Sequence, residues 1–161
     1  MRVEKDFIGE VSIPEDALYG IHSFRARQNF PDGDAFHEEW YRAVGIVKLS
    51  CYRTVQKFKD AARKEYPDIL DKLRLPSDEV LRAMITSAEK IAEGMHFDAF
   101  IVPAVQGGAG TSINMNVNEI IANLSLRELG HASGEYHVID PIALIKLSIT
   151  SSKYLKMLKF N

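Results

Sequence analysis

At 161 residues with a formal charge of −2, the chain is long enough for one domain with a real hydrophobic core. Hydrophobic residues make up 46% and charged residues 26%, and the near-neutral balance gives no electrostatic reason to expect nucleic acid or an anionic membrane as partner. A single cysteine, Cys51, excludes an intrachain disulfide, no apolar run approaches the roughly 20 residues of a membrane span, and residues 1–11 are too charged for a signal peptide, so a cytoplasmic protein is expected.

Along the chain, β-branched and aromatic residues from Val3 to Ile13 surround Ile8-Gly9-Glu10 and predict two short strands joined by a turn. Ser12, or the Pro14-Glu15-Asp16 run, then opens a helix through Ala17, Leu18 and Ile21 towards Arg27. Residues 29–34 (NFPDGD) form a loop by composition. From Glu38 to Phe58, Val44, Val47, Cys51, Val55 and Phe58 have the spacing of one helical face. Shorter helical pieces are expected at 61–65 and 68–73, either side of Pro67. Ser77 with Asp78 and Glu79 is a strong helix start, and Gly94 a stop. Residues 96–106 read as a buried extended connection. The stripe Ile113, Val117, Ile120, Ile121, Leu124 predicts a helix from Ser112 to Gly130, followed by a loop at 131–140 and a last apolar helix from Pro141 to about Phe160. The sum is a mainly α fold with a small N-terminal β-hairpin.

The chemistry concentrates in residues 107–130, GGAGTSINMNVNEIIANLSLRELG. Glycines there free backbone N–H groups at a helix N-terminus, where the helix dipole favours an anion. Neither a P-loop nor a G-x-G-x-x-G order is present. The competing reading is a plain glycine turn, with Thr111 or Ser112 as N-cap and the asparagines solvated or capping backbone. Asn114 and Asn118, four apart, share a face opposite much of the apolar stripe and can present two amides to one ligand or subunit. The five histidines (His22, His37, His96, His131, His137) have no ligand spacing, so no metal is expected. Cys51, on an apolar helical face, reads as core rather than nucleophile.

The block resembles the GGAGTS-x-NMN-x-NE-x-x-AN motif of aspartate ammonia-lyases in the aspartase/fumarase superfamily, rather than the SGTQ-x-NMN of fumarases. Residues 2–9 (RVEKDFIG), 11–30 (VSIPEDALYGIHSFRARQNF) and 129–136 (LGHASGEY) are similar to the family's motifs in the same order, so the resemblance runs from residue 2 to about 141. It implies the fold of the family's first domain and a reaction that removes a proton beside a carboxylate, converting aspartate to fumarate and ammonia without a cofactor. It also implies substrate-binding roles for Thr111, then Ser112 and Asn114, with Arg25 (in HSFRA) and Lys48 at positions linked to the family's site. His22 lies inside a matched motif, where a structural hydrogen bond is expected.

The resemblance breaks after Pro141, where residues 142–161 read IALIKLSITSSKYLKMLKFN in place of the family's N-D-H-V-N-x-x-QSTND. This divides the chain into an aspartase-like domain, 1–141, and a divergent C-terminal helix, 142–161. Family enzymes run to about three times this length. Their central helical bundle and their G-S-S-x-M-P-x-K-x-N loop, which supplies a serine base, have no counterpart here. No complete catalytic set is therefore expected, and the chain is expected to be a truncated lyase, inactive alone. The alternatives are a non-catalytic dicarboxylate-binding or protein-interaction domain, or a subunit that completes a composite site with another copy or a full-length lyase relative. The tail is either an amphipathic helix that covers surface left bare or pairs with another copy, or non-native sequence from a frameshifted or truncated gene.

Overall fold

A computed structural model describes residues 1–31, 33–34, 36–70, 73, 75–105 and 110–144. Strands β1 (Arg2–Lys5) and β2 (Glu10–Ile13) form the expected hairpin, antiparallel with Arg2 opposite Ile13 and Lys5 opposite Glu10. Asp6 closes its turn by accepting from the N–H groups of Ile8 (2.9 Å) and Gly9 (3.1 Å), and Gly9 takes φ +145°, which a side chain would resist.

The expected helix at 12–27 begins later. Helix α1 spans Ile21–Asn29, and residues 14–20 are turns. The cause is Arg2, whose guanidinium collects the carbonyls of Pro14 (3.0 Å), Glu15 (3.2 Å), Ala17 (2.8 Å) and Tyr19 (2.7 Å). Carbonyls that converge on one cation cannot also point along a helix axis towards N–H groups four residues on.

Helix α2 (Glu38–Glu65) runs unbroken through the piece expected separately at 61–65, with Glu38 and Glu39 at its positive end and Arg63 and Lys64 at its negative end. Its inward face carries Tyr41, Gly45, Lys48, Tyr52, Val55 and Phe58, so the stripe inferred from apolar residues is partly displaced: Val47 is 58% exposed and Lys48 is buried. The short α3 (Pro67–Leu70) follows directly. Helix α4 (Asp78–Ala92) starts at Ser77, whose hydroxyl accepts from Val80 N–H at 3.2 Å, and ends before Gly94 at φ +84°. Residues 97–99 form a 3-10 turn instead of an extended stretch, and Phe100 and Val102 beyond it are buried.

Helix α5 (Thr111–Glu128) is the centre of the molecule, and every residue from Met115 to Leu126 is buried. The stripe Ile113, Val117, Ile120, Ile121 and Leu124 joins the core as expected, yet the opposite face is covered too. Helices α2 and α4 pack closely in opposite directions: Gly45 lies against the backbone of Ile91 and Ala92, while Lys59 meets Asp78 at 2.7 Å. Residues 131–140 form a chain of turns, and 141–144 are helical. Gly107, Gly108 and residues 145–161 of the expected last helix lie outside the described residues. None of the described helices is long and apolar enough to cross a membrane.

Candidate functional site

The three asparagines ahead of Glu119 have three different environments. Asn116 is buried and joins α5 to the preceding connection: its Oδ1 accepts from Val102 N–H and its Nδ2 donates to the Ala99 carbonyl, both at 3.2 Å. Asn114, one turn into the helix, is only partly buried, and its Oδ1 accepts from Lys48 Nζ at 2.6 Å. Asn118 is fully buried. The face that Asn114 and Asn118 share is therefore interior beyond its first turn, and only its Asn114 end can meet a solute.

That end has the electrostatics of an anion site. Helix α5 begins at Gly110, whose φ of +79° is a left-handed turn, and among the described residues no side chain caps it and no acidic residue sits in its first turn. Thr111 is exposed and Ser112 half-buried at this N-terminus, where free N–H groups and the helix dipole both favour negative charge. Lys48 adds a cation from α2. Burial pulls its ammonium down to about 8, so it remains mostly charged at neutral pH. Four of the five site residues named from the sequence thus lie on the first turn of α5 or in contact with it.

Arg25 is placed differently. Its Nε and Nη2 grip the Asp6 carboxylate at 2.7 and 2.9 Å, and Nη2 also donates to the Gly9 carbonyl at 3.1 Å. It ties α1 to the hairpin turn, and the Arg25 hydrogen bond in turn holds the Asp6 carboxyl below the usual range. Cys51 is half-buried on α2. Among the described residues no group of three or more His, Cys, Asp or Glu side chains is placed to hold a metal ion.

Sequence reasoning missed Glu119. This fully buried carboxylate accepts from the N–H groups of Gly20 (2.8 Å), His22 (2.9 Å) and Ser23 (3.1 Å) and from the Ser23 hydroxyl. It caps α1 from the middle of α5, and the structural hydrogen bond expected at His22 is made by its backbone N–H. Burial pushes the Glu119 carboxyl up, opposed by the Ser23 and backbone hydrogen bonds. Asn123 works similarly, donating to the Leu18 carbonyl at 2.8 Å and accepting from Gly134 N–H at 2.8 Å. Both residues stand in the NE-x-x-AN part of the motif quoted above, which was the sequence signal for them.

A protein-family model described as lyase matches residues 9–150. The chain is 42% identical over 149 residues to an aspartate ammonia-lyase of Bacillus sp, covering 92% of this chain and 29% of that relative. It is also 42% identical over 148 residues to the aspartate ammonia-lyase of Bacillus subtilis (strain 168), covering 91% of this chain and 28% of the relative. Among solved structures, a fumarate lyase:delta crystallin from Brucella melitensis in native form superposes with a TM-score of 0.75 at 31% identity, over 98% of this chain and 34% of that one. The chain thus spans less than a third of the length of the curated relatives it matches.

Proposed function

Because the chain belongs to the lyase family, we propose that its α5 N-terminus is the dicarboxylate-binding part of an aspartate ammonia-lyase-like site. One observation carries the reading: the first turn of α5 has no acidic residue, no side-chain cap among the described residues, and a buried lysine 2.6 Å from Asn114. One carboxylate of aspartate or fumarate would take the N–H groups at Thr111 and Ser112, with the Thr111 hydroxyl and the Asn114 amide as further contacts and Lys48 as counter-charge. Arg25, already neutralised by Asp6, carries the smaller share of this assignment.

The family reaction needs more than this cradle. Loss of the proton beside a carboxylate builds a second negative charge on that group, which preorganised donors stabilise. A general base must take the proton. These 161 residues lack the family's G-S-S-x-M-P-x-K-x-N motif. We therefore propose that these 161 residues alone bind a dicarboxylate without turning it over, so that catalysis requires residues from outside this stretch, a partner's among them. Three large apolar side chains exposed along α2, Trp40, Ile46 and Val47, favour such a partner, either another copy or a full-length lyase relative.

The test is a titration of the ¹⁵N-labelled chain with aspartate and with fumarate, alongside fumarate absorbance after adding aspartate. Saturable amide shifts at Thr111, Ser112 and Asn114 without turnover are expected. Silence at these amides overturns the binding reading, and robust turnover overturns the inactivity.

A further inference from the structure

We propose that the outward face of α2 pairs antiparallel with the same face of a second copy of this chain. Ala43, Ile46, Val47 and Ser50 are exposed there, with Ile46 at 55% and Val47 at 58%, and Trp40 is exposed one turn earlier. The hydroxyls on this face are turned back into the helix. Ser50 Oγ donates to the Ile46 carbonyl and Thr54 Oγ1 to the Ser50 carbonyl, both at 2.8 Å. Their donors are thereby satisfied within α2 and need no water. From Ala43 to Tyr52 the sole charged residue is Lys48, which is buried on the other side of the helix. A surface helix ordinarily carries charge on its outer face, so this gap marks a contact surface.

The ends of the face select the occupant. Positions 39, 43, 46, 50, 53 and 57 advance by alternating steps of four and three, the spacing of a seam that follows a second helix. Glu39, at one end, is 76% exposed and meets Arg42 at 3.9 Å. Lys57, at the other, is exposed and has no ion-pair partner among the described residues. Arg53 is held aside by Glu89 at 2.7 Å. The seam is symmetric about position 48. An antiparallel copy therefore sets each Glu39 against the other copy's Lys57, with Val47 against its counterpart near the two-fold axis and Ile46 against Ser50. A parallel copy would set acid on acid and base on base. An apolar surface alone would suit many partners, but an acidic end, an apolar middle and a basic end complement a second copy of themselves.

The stretch from Glu39 to Lys57 is about 27 Å long. One helix pair of that length covers less than the roughly 800 Å² per partner of a standard interface, so the association is weak and reversible. The pairing rests on the partner-binding part of the proposed function and is independent of dicarboxylate binding.

Sedimentation equilibrium of the 161-residue chain from about 10 µM to 1 mM, without dicarboxylate, tests the proposal. A monomer–dimer equilibrium is expected. Val47→Lys, at an exposed position, should raise the dissociation constant at least about tenfold while leaving Tm unchanged. Glu39→Lys and Lys57→Glu should each raise it about three- to tenfold, and the two substitutions combined in one chain should restore it. Thermal melts establish that each variant is folded. A parent chain that stays monomeric throughout this range overturns the pairing, while leaving dicarboxylate binding and a full-length lyase partner to their own titration. A dimer that Val47→Lys leaves intact overturns the choice of face. Failure of the combined charge exchange to recover association overturns the antiparallel arrangement.

Discussion

Lys48 Nζ donates to Asn114 Oδ1 at 2.6 Å and so links the inward face of α2 to the first turn of α5. The contact sets a cation in a buried position beside a helix N-terminus whose first turn holds no acid. A buried ammonium is held against its desolvation, and its proton is correspondingly easier to remove.

The pH dependence follows from that burial. Lys48 titrates near 8 in the folded chain and near 10.5 when unfolded. Below about 8 both states carry the proton, and between the two values only the unfolded chain does. Stability attributable to Lys48 therefore rises with pH across this window. Dicarboxylate binding moves the other way, because it needs the charge: Kd should rise by up to about tenfold per pH unit above 8. Thermal melts and amide-shift titrations from pH 7 to 10 measure both trends. In Lys48→Met both should flatten, with binding weakened at least about tenfold. An unchanged Kd in that variant would remove Lys48 from the site.

Glu119→Gln should destabilise the fold by about 2 kcal/mol. The carboxylate receives only donors, from Gly20, His22 and Ser23, whereas an amide must turn its own N–H₂ towards one of them. Urea denaturation reads the loss. Hydrogen exchange should locate it, with amides at the start of α1 exchanging faster than in the parent. A neutral substitution would mean that the α1 N-terminus is held by something other than this carboxylate.

Gly45→Ala should also be unfavourable, although alanine is the better helix former. A Cβ at Gly45 would lie 2.6 Å from the Ala92 nitrogen and 2.8 Å from the Ile91 carbonyl carbon. Backbone atoms inside a helix cannot yield as a side-chain tip can, so α2 must lift from α4 at a cost of about 1–3 kcal/mol. Lys48 lies three residues further along the same face, so dicarboxylate affinity should fall together with Tm. Loss of stability with affinity intact would uncouple α2–α4 packing from the site.

Much of this protein is determined within short stretches of sequence. The hairpin follows from β-branched and aromatic residues either side of Gly9, α4 from Ser77 and Gly94, and the buried stripe of α5 from its helical period, because caps, turns and periodicity act over a few residues. The order of motifs, from RVEKDFIG to LGHASGEY, was enough to indicate the family. Contacts between distant residues were decided only by the tertiary structure. Residues 14–20 have good helix-start signals, yet they turn because Arg2 gathers their carbonyls. Lys48 resembles a solvated surface lysine in sequence but is buried, and Glu119 caps the helix that starts at Gly20, 99 residues before it. Charge and polarity alone cannot reveal such partners. A buried ion or amide is tolerated only where packing has already brought its complement within hydrogen-bonding distance.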